Sequence, residues 1–125
     1  MAGFLLKRVS SSFYKILLKK QNRLLKTKDF NLVFQKGRFV SNHFFLLKYA
    51  INSLNLNRFG FVVSSKVSNK AVVRNKIKRR LREIIRKEIN SIPSSYDIVI
   101  VAKKTAVGLD FKDFKKAVIG LTGKI

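Results

Sequence analysis

Residues 70–87 read KAVVRNKIKRRLREIIRK, and half of them are Lys or Arg. Val73, Ile77, Leu81 and Ile84/Ile85 recur every three or four residues, the spacing that lines one side of an α-helix. At about 100° per residue, Asn75, Arg79, Arg82 and Arg86 fall together on the opposite side, flanked by Lys76, Lys78, Arg80 and Lys87. One face is built to pack and the other to meet something anionic. Like charges three and four apart, such as Arg79 with Arg82, cost an isolated helix tenths of a kcal/mol per pair, and only Glu83 and Glu88 offset them. Basic runs on helices are ordinarily solvated faces, but the density and stripe geometry here favour a polyanion.

The segments on either side of this helix read as strands. Upstream, Val40 to Ala50 reads as one strand, with Phe45, Leu47 and Tyr49 on one side and Phe44, Leu46 and Lys48 on the other. The polar stretch 52–57 then leads to a second strand over Arg58–Ser65, RFGFVVSS, and an antiparallel hairpin is expected between the two. Ser68 or Asn69 is placed to cap the basic helix, which should run to about Ile89 and stop before Pro93. Downstream, Tyr96–Lys103, YDIVIVAK, is a near-continuous apolar run and reads as a strand covered on both faces.

Two further helices complete the pattern. Thr27 as N-cap, Asp29 in the first turn and Gly37 as the stop define a short helix over 28–36, with Phe30, Val33 and Phe34 on its inner side. Two Phe residues four apart are usually core; a stacking platform for nucleotide bases is the alternative. Asp110 and Asp113 open a last helix, whose buried side is marked by Phe111, Phe114, Val118 and Leu121. The order is α-β-β-α-β-α, which implies an α+β two-layer sandwich with a central sheet and a βαβ crossover.

At 125 residues and 46% apolar composition, the chain suits a single domain over 21–125. Residues 1–20 form a basic extension without an acid, open to reading as a flexible arm, an organelle-targeting segment or an upstream extension. Lys and Arg total 28 against 6 acids, a net charge of +22. Nucleic acid is the first candidate partner, because each neutralised phosphate releases a counterion; a membrane surface is the second. No stretch reaches the roughly 18 apolar residues of a membrane span.

Catalytic chemistry finds little support. Without cysteine and with His43 as the only histidine, thiolate and multi-histidine metal sites are excluded. Asp29, Glu83, Glu88, Asp97, Asp110 and Asp113 are scattered and form no motif of paired acids. No catalytic residue is assigned to the protein.

The run Arg74-Asn75-Lys76-Ile77-Lys78-Arg79 resembles the signature of the bacterial ribonuclease P protein component, an Arg-Asn-Arg-type run followed by an apolar residue and two bases. RLLKTKDFNLVFQKGR, GFVVSSKV and YDIVIVAKK resemble the family's opening segment, second strand and later strand. The resemblance spans about Gln21 to Leu121. It implies a left-handed crossover, as in some ribosomal-protein domains. It also implies a protein that binds a large catalytic RNA, in a holoenzyme that removes the 5′ leader of precursor tRNA. Hydrolysis there belongs to the RNA with Mg2+.

By motif position, the resemblance assigns Arg74, Asn75, Lys76, Lys78, Arg79 and Arg82 to RNA contact. Arg86 continues their stripe, and Lys66 adds charge ahead of the helix. Phe30 and Phe34 match family aromatics of a leader-binding cleft. Lys48 stands where some members carry a cleft tyrosine, with Phe44, Phe45 or Tyr49 as candidate replacements. Arg forks suit phosphate oxygens and Lys acts as a point charge, so such a stripe follows an RNA backbone without reading sequence. The expected location is a bacterial cytoplasm, with an organelle left open by the N-terminal segment. A structural ribosomal-type RNA-binding protein is the alternative reading, and a membrane-active basic protein a third.

Overall fold

The computed structural model describes residues 18–125. After a 3-10 turn at Lys20–Asn22, the chain forms α1 (Thr27–Lys36), β1 (Arg38–Ser41), β2 (Phe45–Ile51), β3 (Arg58–Val62), α2 (Ala71–Glu88), β4 (Tyr96–Ala102) and α3 (Phe111–Thr122). The four strands make one sheet in the order β1-β2-β4-β3. β1 and β2 are antiparallel, as are β2 and β4, whereas β3 runs parallel to β4. The α+β class and the βαβ crossover hold, with α2 as the crossing helix.

Two strand expectations are corrected. The single strand over Val40–Ala50 is two strands, folded back on each other at Asn42. Its side-chain oxygen accepts from the backbone N–H groups of Phe44 at 2.9 Å and Phe45 at 2.8 Å, a local turn that competes with extended pairing. The hairpin expected between β2 and β3 does not form, because β4 lies between them and pairs with both. β4 is buried over Asp97–Ile100, so its apolar run belongs at the centre of the sheet. Residues 52–57 span roughly 20 Å when extended, ample to step across the roughly 10 Å of two strand spacings. Asn57 locks that step: its Oδ1 accepts from Tyr96 N and its Nδ2 donates to Pro93 O, both at 2.8 Å.

The main core fills the space between one sheet face and α2 with α3. Ile77, Leu81, Ile84 and Ile85 of α2 are buried, as their spacing requires, and meet Phe45, Leu47, Phe59, Ile98 and Ile100 from the sheet. Each such side chain contributes on the order of 1.5–3 kcal/mol. Phe45 and Phe114 pack edge to face at 5.0 Å between ring centres, joining α3 to β2. Phe111, expected on the buried side of α3, is 37% exposed and lies under Arg80 instead.

The other face carries a smaller cluster of Leu24, Val33 and Val99 with Phe30, Ala50, Val62 and Val101 at its margin. α1 therefore covers part of this second face. Gly37 follows α1 in an extended backbone, φ −76°, so its use is steric: a Cβ there would collide with Val33 O and stand 3.0 Å from Tyr49 O. The caps differ from expectation in detail. Lys26 precedes α1 without a side-chain cap, and Thr27 is its first residue. Lys70 precedes α2, while Ser68 Oγ accepts from Lys70 N at 3.2 Å just upstream. Asp110 does cap α3, accepting from Asp113 N at 2.8 Å.

Leu18, in the stretch read as extension, is buried in the main core, and Asn22 is buried too. Residues 1–17 of that extension lie outside the described residues.

Candidate nucleic-acid interface

The basic helix separates into cations that face solvent and cations that hold the fold. Asn75, Lys76, Arg79 and Arg82 are exposed and Lys78 half-exposed, on the side of α2 away from Ile77, Leu81 and Ile84. Arg74 is partly buried and donates to Ser68 O at 2.9 Å, which ties the first turn of α2 to the loop before it. Arg80 donates to Leu109 O at 2.8 Å and lies 5.8 and 5.6 Å from the ring centres of Phe111 and Phe114. It is a clamp between α2 and α3. Arg86 is half-buried, lines a hollow with Leu18, Asn22 and Asn57, and its Nε is buried without a partner among the described residues. The open stripe thus runs over the first three turns of α2 and closes toward its C-terminal end.

A second surface forms between α1 and the uncovered part of the sheet. The ring of Phe30 is half-buried against Gly60 of β3, while Phe34, one turn further on, is 38% exposed. Lys48 reaches up from β2, with Nζ 5.2 Å from the Phe34 ring centre and 3.2 Å from Phe34 O. Phe30, Phe34 and Lys48 are therefore brought together, with half-buried Leu46, Val62 and Val101 as the adjoining floor. Phe44, Phe45 and Tyr49 do not face this cleft: Phe45 is fully buried in the main core, and the other two pack against it.

A further basic feature lies just past the ends of β3 and β4. Lys66, exposed in the turn before α2, shares a groove with Lys103 and Lys104, the residues that follow the cleft floor at Val101. These two lysines were not singled out from sequence, although the KK that closes YDIVIVAKK was the available signal. Phe39, 65% exposed, lies on β1 just ahead of the strand expected from Val40.

A family model described as Ribonuclease P matches residues 18–125 of this chain. The chain belongs to the ribonuclease P protein family. It is 36% identical over 108 residues to the ribonuclease P protein component of Alkaliphilus metalliredigens, covering 86% of this chain and 96% of that protein. A Clostridium botulinum counterpart is 38% identical over 106 residues, covering 84% and 95%. Among solved structures, the RNase P protein of Thermotoga maritima superposes with a TM-score of 0.77 at 34% identity, covering 82% of this chain and 96% of that one. The Staphylococcus aureus RNase P protein gives 0.77 at 29% identity, covering 82% and 94%.

As a ribonuclease P protein, the chain is a subunit of an endoribonuclease in which protein works with an RNA subunit. Among the described residues, no helix is long and apolar enough to cross a membrane.

Proposed function

We propose that the open stripe of α2 holds the catalytic RNA and that the cleft beside α1 takes the single-stranded 5′ leader of precursor tRNA. The observation that carries this reading is the chemical difference between the two surfaces. The stripe offers Arg79, Arg82, Lys76 and Lys78 for phosphate oxygens and presents no aromatic ring among them. It suits a folded backbone read by charge. The cleft offers rings and a lysine, which suits unpaired bases. Lys66 stands in the chain between β3 and α2 and shares a groove with Lys103 and Lys104, so these cations add to the surface offered to RNA.

Hydrolysis in this reading belongs to the RNA. Among the described residues, no group of three or more His, Asp or Glu side chains is placed to hold a metal ion. The Mg2+ expected for the ribonucleoprotein is assigned to RNA phosphates. The protein binds and orients. The bacterial relatives support a place in the bacterial cytoplasm.

Sequencing the RNA that co-purifies with the tagged full-length protein tests the reading. One abundant non-ribosomal RNA able to cleave precursor tRNA is the expected result. Recovery of ribosomal subunits instead would favour a structural ribosomal role and contradict it.

A further inference from the structure

Phe39 is more exposed than either aromatic of α1, at 65%, and nothing among the described residues uses its ring. It sits on the edge strand β1 directly opposite Lys48, so the two share a sheet face with their Cβ atoms about 5 Å apart. Lys48 leans the other way, with its ammonium 5.2 Å from the Phe34 ring centre. Phe39, Lys48 and Phe34 consequently form a line of ring, cation and ring from the sheet edge to α1. The same sheet row continues through Val99 to Gly60, where the Phe30 ring lies.

We infer that Phe39 is a further base-stacking residue, which extends the leader cleft from α1 across onto β1 and takes an additional nucleobase of single-stranded RNA. This rests on the reading of the cleft as the leader site. Stacking needs only the π-face common to all bases, so the added position lengthens the bound segment without selecting its sequence. Lys48 between the two rings is placed to meet the phosphate linking two stacked nucleotides. Exposed Lys36 and Arg38 precede Phe39 in sequence and add positive charge at this edge of the sheet.

A second copy adding its own edge strand to β1 would also cover Phe39. That occupant is disfavoured, because each copy carries a net charge of +22 and the edge is flanked by cations, so the copies repel. An anionic strand is attracted by the same charges.

The test uses the reconstituted ribonucleoprotein carrying wild-type, Phe39→Ala or Phe39→Trp protein, and precursor tRNA with either a long leader or one shortened to a stub. Wild type is expected to bind the long-leader substrate more tightly. Phe39→Ala should weaken that affinity about five- to tenfold while leaving the stub substrate and catalytic-RNA affinity unchanged, and Phe39→Trp should restore it. The thermal midpoint of Phe39→Ala should not move, since the ring is exposed. Unchanged long-leader affinity in Phe39→Ala, or an equal loss on both substrates, overturns the inference while leaving the cleft reading in place. A wild-type dimer dissociated by Phe39→Ala identifies a contact between copies and overturns it as well. If wild type binds both substrates equally, the cleft reading fails, and the role of Phe39 with it.

Discussion

The ring of Phe30 occupies the place where a side chain at position 60 would stand. A Cβ built on Gly60 collides with the Cζ and Cε1 atoms of Phe30, so glycine here serves close approach. α1 settles on the sheet only because β3 is bare at this point. Gly60→Ala should therefore displace Phe30 outward, costing about 1–3 kcal/mol of stability. Urea unfolding checks the cost, and affinity for long-leader substrate should fall while affinity for the catalytic RNA does not.

Arg79 and Arg80 are neighbours with different work. Arg79 and Arg82 are exposed and unpaired with acids among the described residues. Replacing both by Ala should flatten the dependence of log affinity for the catalytic RNA on log salt concentration by about 1–2, with little change in stability. An unchanged slope would show that the stripe is merely solvated.

Arg80→Ala should do the reverse. It removes the bond to Leu109 O and the cation above Phe111 and Phe114, for a loss of about 1–2 kcal/mol. The thermal midpoint should fall, and the salt slope should stay close to wild type.

Arg58 is held on the α1 side of β3 by Asp97, at 2.8 and 2.6 Å, and by Asp29 at 3.4 Å. Its hydrogen bond to Asp97 is the chief influence holding its pKa above the usual guanidinium value; desolvation works against it. Folded pKa above unfolded means that this stability is fully present below the unfolded value and is lost only as pH rises through the folded one. A stability profile from neutral to moderately alkaline pH should carry no step from Arg58. Asp97→Asn should cost about 2–3 kcal/mol, less than a fully buried pair because Asp29 remains and the site is partly solvated. Denaturant unfolding reads both effects.

Much of the fold was legible because the strongest signals were periodic. The row Ile77, Leu81, Ile84 is buried as spaced, with Val73 partly buried at its start, and the unbroken YDIVIV run became one of the two inner strands. Pairing was less legible, since it depends on which strand takes the middle of the sheet. Neighbours in sequence suggested a β2–β3 hairpin, but burying both faces of β4 won. The turn at Asn42 was missed because a single side chain makes it, inside a stretch whose hydropathy reads as continuous.

For the interface, the stripe was visible as residues but not as contacts. Nothing in the spacing distinguishes Arg79 from Arg80 by role, or shows that Arg86 closes against the segment around Leu18. Phe30, Phe34 and Lys48 were legible through resemblance and are adjacent in space. Phe39 became visible only once β1 was separate, because its register places it opposite Lys48.

The most direct measurement is cleavage of precursor tRNA at low magnesium by the cognate catalytic RNA, the protein, and the two together. The RNA with protein should remove the 5′ leader efficiently, the RNA alone poorly, and the protein alone not at all. Robust cleavage by RNA-free protein, or no change when protein is added to the RNA, would contradict the division of labour between them.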